Sequence, residues 1–303
     1  MKTVSIVTVN YNHSHVTDAL LDSIFSENEY PNLEIIVVDN DSIINPIPSW
    51  EVKYSSVQFI RAPKNLGFAG GNNLGLSKAT GDYLFFVNND TVFTKNLITT
   101  LVNTMERNSA IGMISPKLLY YEQPDMLQYA GYTKMNYYTA RNSCIGQFEQ
   151  DKGQYDHLVG PTGFAHGAAM MLTKAAIDKV GPMAENYFLY YEELDWADRI
   201  KRAGMEVWVN MKATIYHKES ISVGKQSALK IYYMNRNRLL FIRRNASLIP
   251  KLFFYMYFIC VVVPRNMISY WKDGQVGFIT QLWRAIWWNF TNGINSVYLG
   301  FKS

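Results

Sequence analysis

The chain has 303 residues, of which 48% are hydrophobic, 15% aromatic and 18% charged, with a formal net charge of +4. This balance excludes a disordered, collagenous or coiled-coil chain and suits one large domain or two small ones. Two cysteines, Cys144 and Cys260, exclude a disulfide framework and a four-cysteine zinc site, so a reducing, cytoplasmic setting is expected.

The opening MKTVSIVTVNYNHS turns polar after a short alternating run and does not read as a signal peptide. Residues 4–9 (VSIVTV) form a β-branched strand, and 14–27 carry Val16, Leu20, Leu21 and Ile24 at helical spacing. Residues 33–38 are a buried strand ending on Asp39, and 57–60 a shorter one. A glycine-rich loop over 65–75 leads into a helix at 72–79. The strand 82–87 stops at Asn88-Asn89-Asp90, and 111–115 is a further strand. Residues 120–160 show no period and read as loop or antiparallel excursion. Residues 168–172 are a buried strand, 191–203 a helix closed by Gly204, and 206–209 and 213–216 two short strands. From 227 onward the pattern is helical. Strands alternating with helices argue a mostly parallel sheet covered on both faces. Ligands in such sheets bind beyond the carboxyl ends of the strands, where Asp39 and Asp90 lie.

The net charge hides an asymmetry. Residues 1–225 carry 19 Lys and Arg against 24 Asp and Glu, whereas 226–303 carry 10 against one, Asp273. The tail also holds four of the seven tryptophans, so an acidic-leaning body is joined to a basic, aromatic extension. An anionic membrane surface or nucleic acid would suit such a tail. The lack of a recognised motif and the acidic body argue against nucleic acid. The longest apolar run, 252–263 (LFFYMYFICVVV), ends at Pro264-Arg265. At 12 residues it falls short of the roughly 20 a spanning helix needs, so a buried or interfacial helix is expected. Trp283, Trp287 and Trp288 with Arg284 beside them suit a membrane edge, the body or a second subunit.

Three constellations carry chemistry. The segment 65–75 (NLGFAGGNNLG) fits neither the dinucleotide nor the phosphate-loop spacing; it allows close backbone approach to a ligand, or serves packing alone. Asn88-Asn89-Asp90 puts one carboxylate and two amides at a sheet edge, either for a divalent cation on a nucleoside diphosphate or as a closing turn. In 191–203 (YEELDWADRIKRA), Asp195 and Asp198 have arginines four residues on, while Glu192 and Glu193 do not. Those two complement the helix dipole or supply a general base. His217 is a metal ligand only if Asp90 is near it.

In order, the segments TVNYN (8–12), VVDNDS (37–42), NLGFAGGNN (65–73), FFVNND (85–90), GFAHGAAMML (163–172), YYEELDW (190–196) and YHKES (216–220) resemble the inverting family-2 glycosyltransferases of the GT-A fold. The likeness is strongest to the bacterial rhamnosyltransferase-like branch. It implies an α/β fold with a mixed, mostly parallel sheet. A nucleotide-sugar-binding and catalytic domain would span 1–225, with a helical extension over 226–303. It implies transfer of a sugar, rhamnose first, from dTDP-rhamnose or a UDP-hexose to a hydroxyl of a glycan or lipid-linked acceptor in surface polysaccharide synthesis. The enzyme would be cytoplasmic, peripheral on the inner membrane face or a homodimer through its tail. On matching positions the donor side comprises Val9, Asn10, Asp39 (at the nucleobase), Asn65, Gly67, Asn88, Asn89 and Arg236 (near the diphosphate). Asp90 and His217 would hold Mg2+ or Mn2+, Glu193 would be the catalytic base, and Gly167 and Glu192 would face the acceptor. Two positions depart from the family pattern: Glu192-Glu193 stands where it has Glu-Asp, and Asn88 opens the Asp-x-Asp-type motif.

Two other readings compete. A sugar-phosphate nucleotidyltransferase needs a glycine-rich basic loop after the first strand, and residues 8–15 (TVNYNHSH) have no glycine, lysine or arginine. A non-catalytic nucleotide-sugar-binding protein is distinguished by its failure to release nucleoside diphosphate.

Overall fold

Strands β1 (Val4–Asn10), β2 (Leu33–Asp39), β3 (Val57–Arg61) and β4 (Tyr83–Val87) alternate with helices α1 (Ser14–Glu27), α2 (Ile47–Lys53) and α3 (Gly67–Leu76). After β5 (Thr91–Val92) and α4 (Leu97–Arg107) come β6 (Ile111–Tyr120), β7 (Leu127–Tyr129), β8 (Val159–Pro161) and β9 (Ala169–Thr173). The body closes with α5 (Lys174–Val180), α6 (Glu192–Arg202) and β10 (Glu206–His217). The tail comprises α7 (Ala228–Asn245), α8 (Leu248–Tyr257), α9 (Val263–Lys272) and α10 (Val276–Thr291). This computed structural model describes residues 2–219 and 227–301. The expected boundary at 225/226 and Ser220 lie outside the described residues.

Among the described residues the strands form one ten-stranded sheet in the order β3-β2-β1-β4-β9-β6-β10-β5, with β7 on β6 and β8 on β10. The pairs β1–β2, β1–β4, β2–β3 and β6–β10 are parallel, and β9 runs antiparallel to both β4 and β6. Side chains alternate across the sheet. Ile6, Phe85 and Met171 enter one core with α1 and α4, while Val7, Phe86 and Met170 enter another with α6. Leu239, Leu240, Phe254, Phe258 and Trp288 of the tail join that second core.

Five features differ from the sequence reading. The glycine-rich stretch is itself the helix α3, which starts at Gly67 rather than near 72. Glycine is a poor helix former, but a Cβ at Gly75 would lie 2.4 Å from Val7 Cγ1 and one at Gly71 2.9 Å from Val9 Cγ1. The bare face lets α3 lie directly on β1. The strand at 111 runs on to Tyr120, and the two short strands at 206 and 213 are one. The β10 register shifts between Asn210 and Thr214, opposite Pro116, where proline supplies no ladder N–H. The sequence reading also passes over α4, although its buried Leu97, Ile98, Leu101, Val102 and Met105 have helical spacing.

The fifth difference is in the tail. The helix that carries the apolar run does not stop at Pro264. A π-helical turn, Phe258–Val262, joins α8 to α9 without a break, and Pro264, which has no N–H to give, follows it inside the helix. The continuous helix Leu248–Lys272 has 25 residues, long and apolar enough by length and composition to cross a membrane. Only 22% of its most apolar window is buried, so it is not an ordinary core helix.

Gly75→Ala sets two effects against each other. Helix propensity gains up to about 1 kcal/mol, while overpacking against Val7 costs about 1–3 kcal/mol. Denaturant titration should show a net loss on the order of 1–2 kcal/mol. The loss should be less than additive in the Val7→Ala/Gly75→Ala double variant.

Candidate active site

Because β1, β2 and β4 are parallel, Asn10, Asp39 and Asn88 leave the sheet at one edge. The antiparallel β9 starts at that edge, with Ala169 opposite Val87, and so delivers His166 and Gly167 there. β10 ends at the same edge and pairs His217 with Thr91. A cavity of about 400 Å³ opens at this edge.

Seven of the expected residues line the cavity: Val9, Asn65, Gly67, Asn88, Asn89, Asp90 and His217. Tyr11, Asn40, Phe68, Phe188, Leu189, Tyr190, Ser227 and Leu229 line it too, and the sequence reading assigned them no role. Asn40 was within reach of that reading, since it adjoins Asp39 in VVDNDS. Its amide donates to Asn65 Oδ1 and Gly67 O at 3.1 Å each, and its oxygen accepts from Leu66 N at 2.9 Å. Tyr190 likewise opens the segment YYEELDW, whereas Phe188 and Leu189 carry no such signal.

Asn10 and Asp39 lie beneath the cavity rather than in its wall. Asn89 donates to Thr17 Oγ1, Thr17 to Asn10 Oδ1, and Asn10 to Asp39 Oδ1, at 3.0, 3.0 and 2.9 Å. Ser42 and Arg61 take the remaining capacity of Asp39. A fully buried carboxylate needs such partners, so Asp39 anchors the floor. Arg236 also departs from its expected place. It is fully buried, donates to Asn186 O and Leu299 O, and sits over Tyr233 and Trp288. Its cation braces the tail instead of facing the cavity.

The wall at Phe188–Tyr190 is held from the tail. Asn237 donates to Tyr187 O, Leu189 O and Tyr190 O at 2.9, 2.8 and 2.8 Å. Phe188, Tyr190 and Tyr191 all have positive φ, an unfavourable backbone that persists only when its surroundings dictate it. Gly67 shares the constraint: its φ is +72° and a Cβ there would sit 2.3 Å from Phe188 O.

Glu192 and Glu193 follow this turn in the first turn of α6. Glu193 is half-buried outside the cavity lining, against Gly167, where a Cβ would lie 3.5 Å from its Cγ. Burial raises its carboxyl above the usual range. Glu192 is buried, its Oε2 has no hydrogen-bond partner, and burial followed by the charge of Glu193 raises it well above that range. His166, behind Gly167, is pushed down to about 3 by burial and then by His217. Its Nδ1 accepts from Ala168 N.

Asp90 Oδ1 and His217 Nε2 face each other at 3.1 Å, both buried and both without a hydrogen-bond partner. Two acceptors so placed fit a shared cation. No group of three or more His, Cys, Asp or Glu among the described residues forms a metal site. A cation here would therefore draw its other ligands from phosphate oxygens and water.

Glu192 favours folding while its carboxyl is protonated, and that contribution is lost as pH rises through its raised folded-state pKa. Glu192→Gln should therefore raise the melting temperature over wild type by more at pH 8 than at pH 5. An equal shift at both would remove the buried charge as the cause.

The sequence profile of Glycosyl transferase family 2 matches residues 5–181, more than half of the chain. The low-salt glycan biosynthesis hexosyltransferase Agl10 of Haloferax volcanii is 25% identical over 245 residues, 78% of this chain and 74% of that protein. An N-acetylglucosaminyl-diphospho-decaprenol L-rhamnosyltransferase of Mycobacterium tuberculosis is 20% identical over 263 residues, 80% of this chain and 84% of that one. The mannosyltransferase PcManGT of Pyrobaculum calidifontis, solved with GDP-Man and Mn2+, superposes with a TM-score of 0.58 at 13% identity, covering 96% of this chain and 87% of that one. The chain belongs to glycosyl transferase family 2 and is a glycosyltransferase of the GT-A fold.

Proposed function

We propose that the enzyme moves a sugar, rhamnose first, from dTDP-rhamnose or a UDP-hexose to a hydroxyl of a glycan or lipid-linked acceptor, with inversion, in surface polysaccharide synthesis. The observation that carries this reading is the buried Asp90–His217 pair in the cavity wall, 3.1 Å apart with no hydrogen bond to either atom, together with Glu193, raised by burial and set against Gly167. Asn40, Asn65 and Gly67 would hold the nucleoside, and Asn88 and Asn89 the diphosphate side. Asp90 and His217 would hold Mg2+ or Mn2+, which offsets charge growing on the departing diphosphate when bound. Glu193 takes the proton of the acceptor hydroxyl on the face opposite the leaving group. No covalent sugar–enzyme intermediate is needed, so one catalytic carboxylate suffices. A base raised by burial holds its proton to higher pH, so turnover would rise through a pKa above the ordinary glutamate range.

Glu193→Gln should lower turnover by about two to four orders of magnitude while nucleotide binding survives. Asp90→Ala should abolish the metal dependence of nucleoside-diphosphate binding with the fold intact. Unchanged nucleoside-diphosphate release in Glu193→Gln, or full activity in excess chelator, would count against the respective assignment.

The reading extends to an acceptor met at the inner membrane face. Leu252, Phe253, Met256 and Ile259 of the long helix and Trp283, Trp287 and Phe290 of α10 are exposed, with Arg265 and Lys272 along the same helix. Basic residues near an anionic surface add about 1 kcal/mol each. Phe254, Phe258 and Val262 stay packed in the body, which favours a helix lying on the bilayer over one crossing it. The full-length protein should float with anionic liposomes at low salt and less so at high salt, and Trp283→Ser/Trp287→Ser should stay soluble. A wild type that stays soluble, with a dimer that the same variant breaks, would make this face a subunit interface.

A further inference from the structure

Gln128 lies in β7, within the stretch that showed no sequence period. Its neighbours Leu127 and Tyr129 pair with Leu119 and Leu118 across a register shift. Its side-chain Oε1 comes within 2.8 Å of His217 Nδ1, and both residues are buried. An amide oxygen accepts, so this contact draws the imidazole proton to Nδ1. Nε2 then keeps its lone pair and faces Asp90 Oδ1, 3.1 Å away, where neither atom makes a hydrogen bond.

The rest of the surroundings offers His217 no competing hydrogen bond. His166 meets its ring edge-on at a centroid distance of 6.0 Å. The Nδ1 of His166 is already engaged with Ala168 N. A proton on Nε2 alone would serve Asp90 Oδ1 but leave Nδ1 and Gln128 Oε1 as two buried acceptors in contact, whereas a cation between Nε2 and Asp90 Oδ1 relieves the matching clash when the proton is on Nδ1. A proton on Nε2 would also close that nitrogen to a cation. A ligating histidine commonly donates its other N–H to an oxygen acceptor, which sets tautomer and ring orientation together.

We propose that Gln128 is a positioning residue that fixes His217 as the Nδ1–H tautomer and thereby makes Nε2 a ligand for the divalent cation shared with Asp90. The cation part rests on the metal reading above; the tautomer part does not.

The test uses full-length protein labelled with 15N-histidine. Long-range 1H–15N spectra of the metal-free wild type should show His217 protonated at Nδ1. Mn2+ binding is read by electron paramagnetic resonance in the presence of dTDP, and of UDP in parallel. Gln128→Leu should lose the Nδ1–H tautomer and weaken Mn2+ binding about 10- to 100-fold. Gln128→Glu keeps an oxygen acceptor and should retain both. An Nε2-protonated His217 in the wild type overturns the proposal, as does undiminished Mn2+ binding in a folded Gln128→Leu. Should Gln128→Leu not fold, the wild-type tautomer and Gln128→Glu still decide. A wild type that binds no Mn2+ with either nucleotide, yet shows Nδ1–H, sinks the metal reading and leaves Gln128 as the tautomer's determinant.

Discussion

One side-chain amide ties the active-site edge to the tail. Asn237, on α7, donates to three carbonyls of the turn that precedes α6. That turn holds residues in left-handed backbone, supplies the wall Phe188–Tyr190, and launches Glu192 and Glu193. Unfavourable dihedrals of about 1–3 kcal/mol each persist only where surrounding contacts over-determine them. Asn237 supplies those contacts from one side, and Phe68 N, donating to Phe188 O at 2.7 Å, supplies one from the other. The tail is thus part of the active-site scaffold.

The sheet meets this turn with a rigid floor. The chain of hydrogen bonds from Asn89 through Thr17 and Asn10 to Asp39 crosses β1, α1 and β2. It ends on the Arg61 guanidinium. Its members are buried, so each missing bond would leave an unpaired polar group at a cost of about 1–3 kcal/mol. The network therefore holds the cavity floor in one arrangement. Asp90 Oδ1 and His217 Nε2, 3.1 Å apart, are exceptions in that neither makes a hydrogen bond, as is Glu192 Oε2.

The tail helices serve two surfaces with one composition. Their inner faces fill the same core as Val7, Phe86 and Trp196, while Phe253, Met256, Trp287 and Phe290 remain outside. Apolar residues on both sides of a helix cannot all be satisfied by one protein core. The π-turn before Pro264 joins α8 and α9 into one continuous helix of 25 residues.

The sequence by itself determined β1 to β4 and β9, because runs such as VSIVTV and DYLFFV have β-branched or aromatic residues and no competing period. It also determined the edge, since parallel strands ending on Asp39 and Asn88 must present those residues together. The family motifs marked Asn65, Gly67, Asp90 and His217, which line the cavity, and Glu193, which lies outside that lining against Gly167. Tertiary structure decided the rest. It turned the glycine-rich stretch into a helix because close approach to β1 outweighs glycine's poor propensity. It withdrew Asp39 and Arg236 from the cavity because buried charges need their own partners. It brought in Asn237 and Gln128 from distant segments, where hydrogen bonds to loop carbonyls and to an imidazole leave no local pattern in the chain.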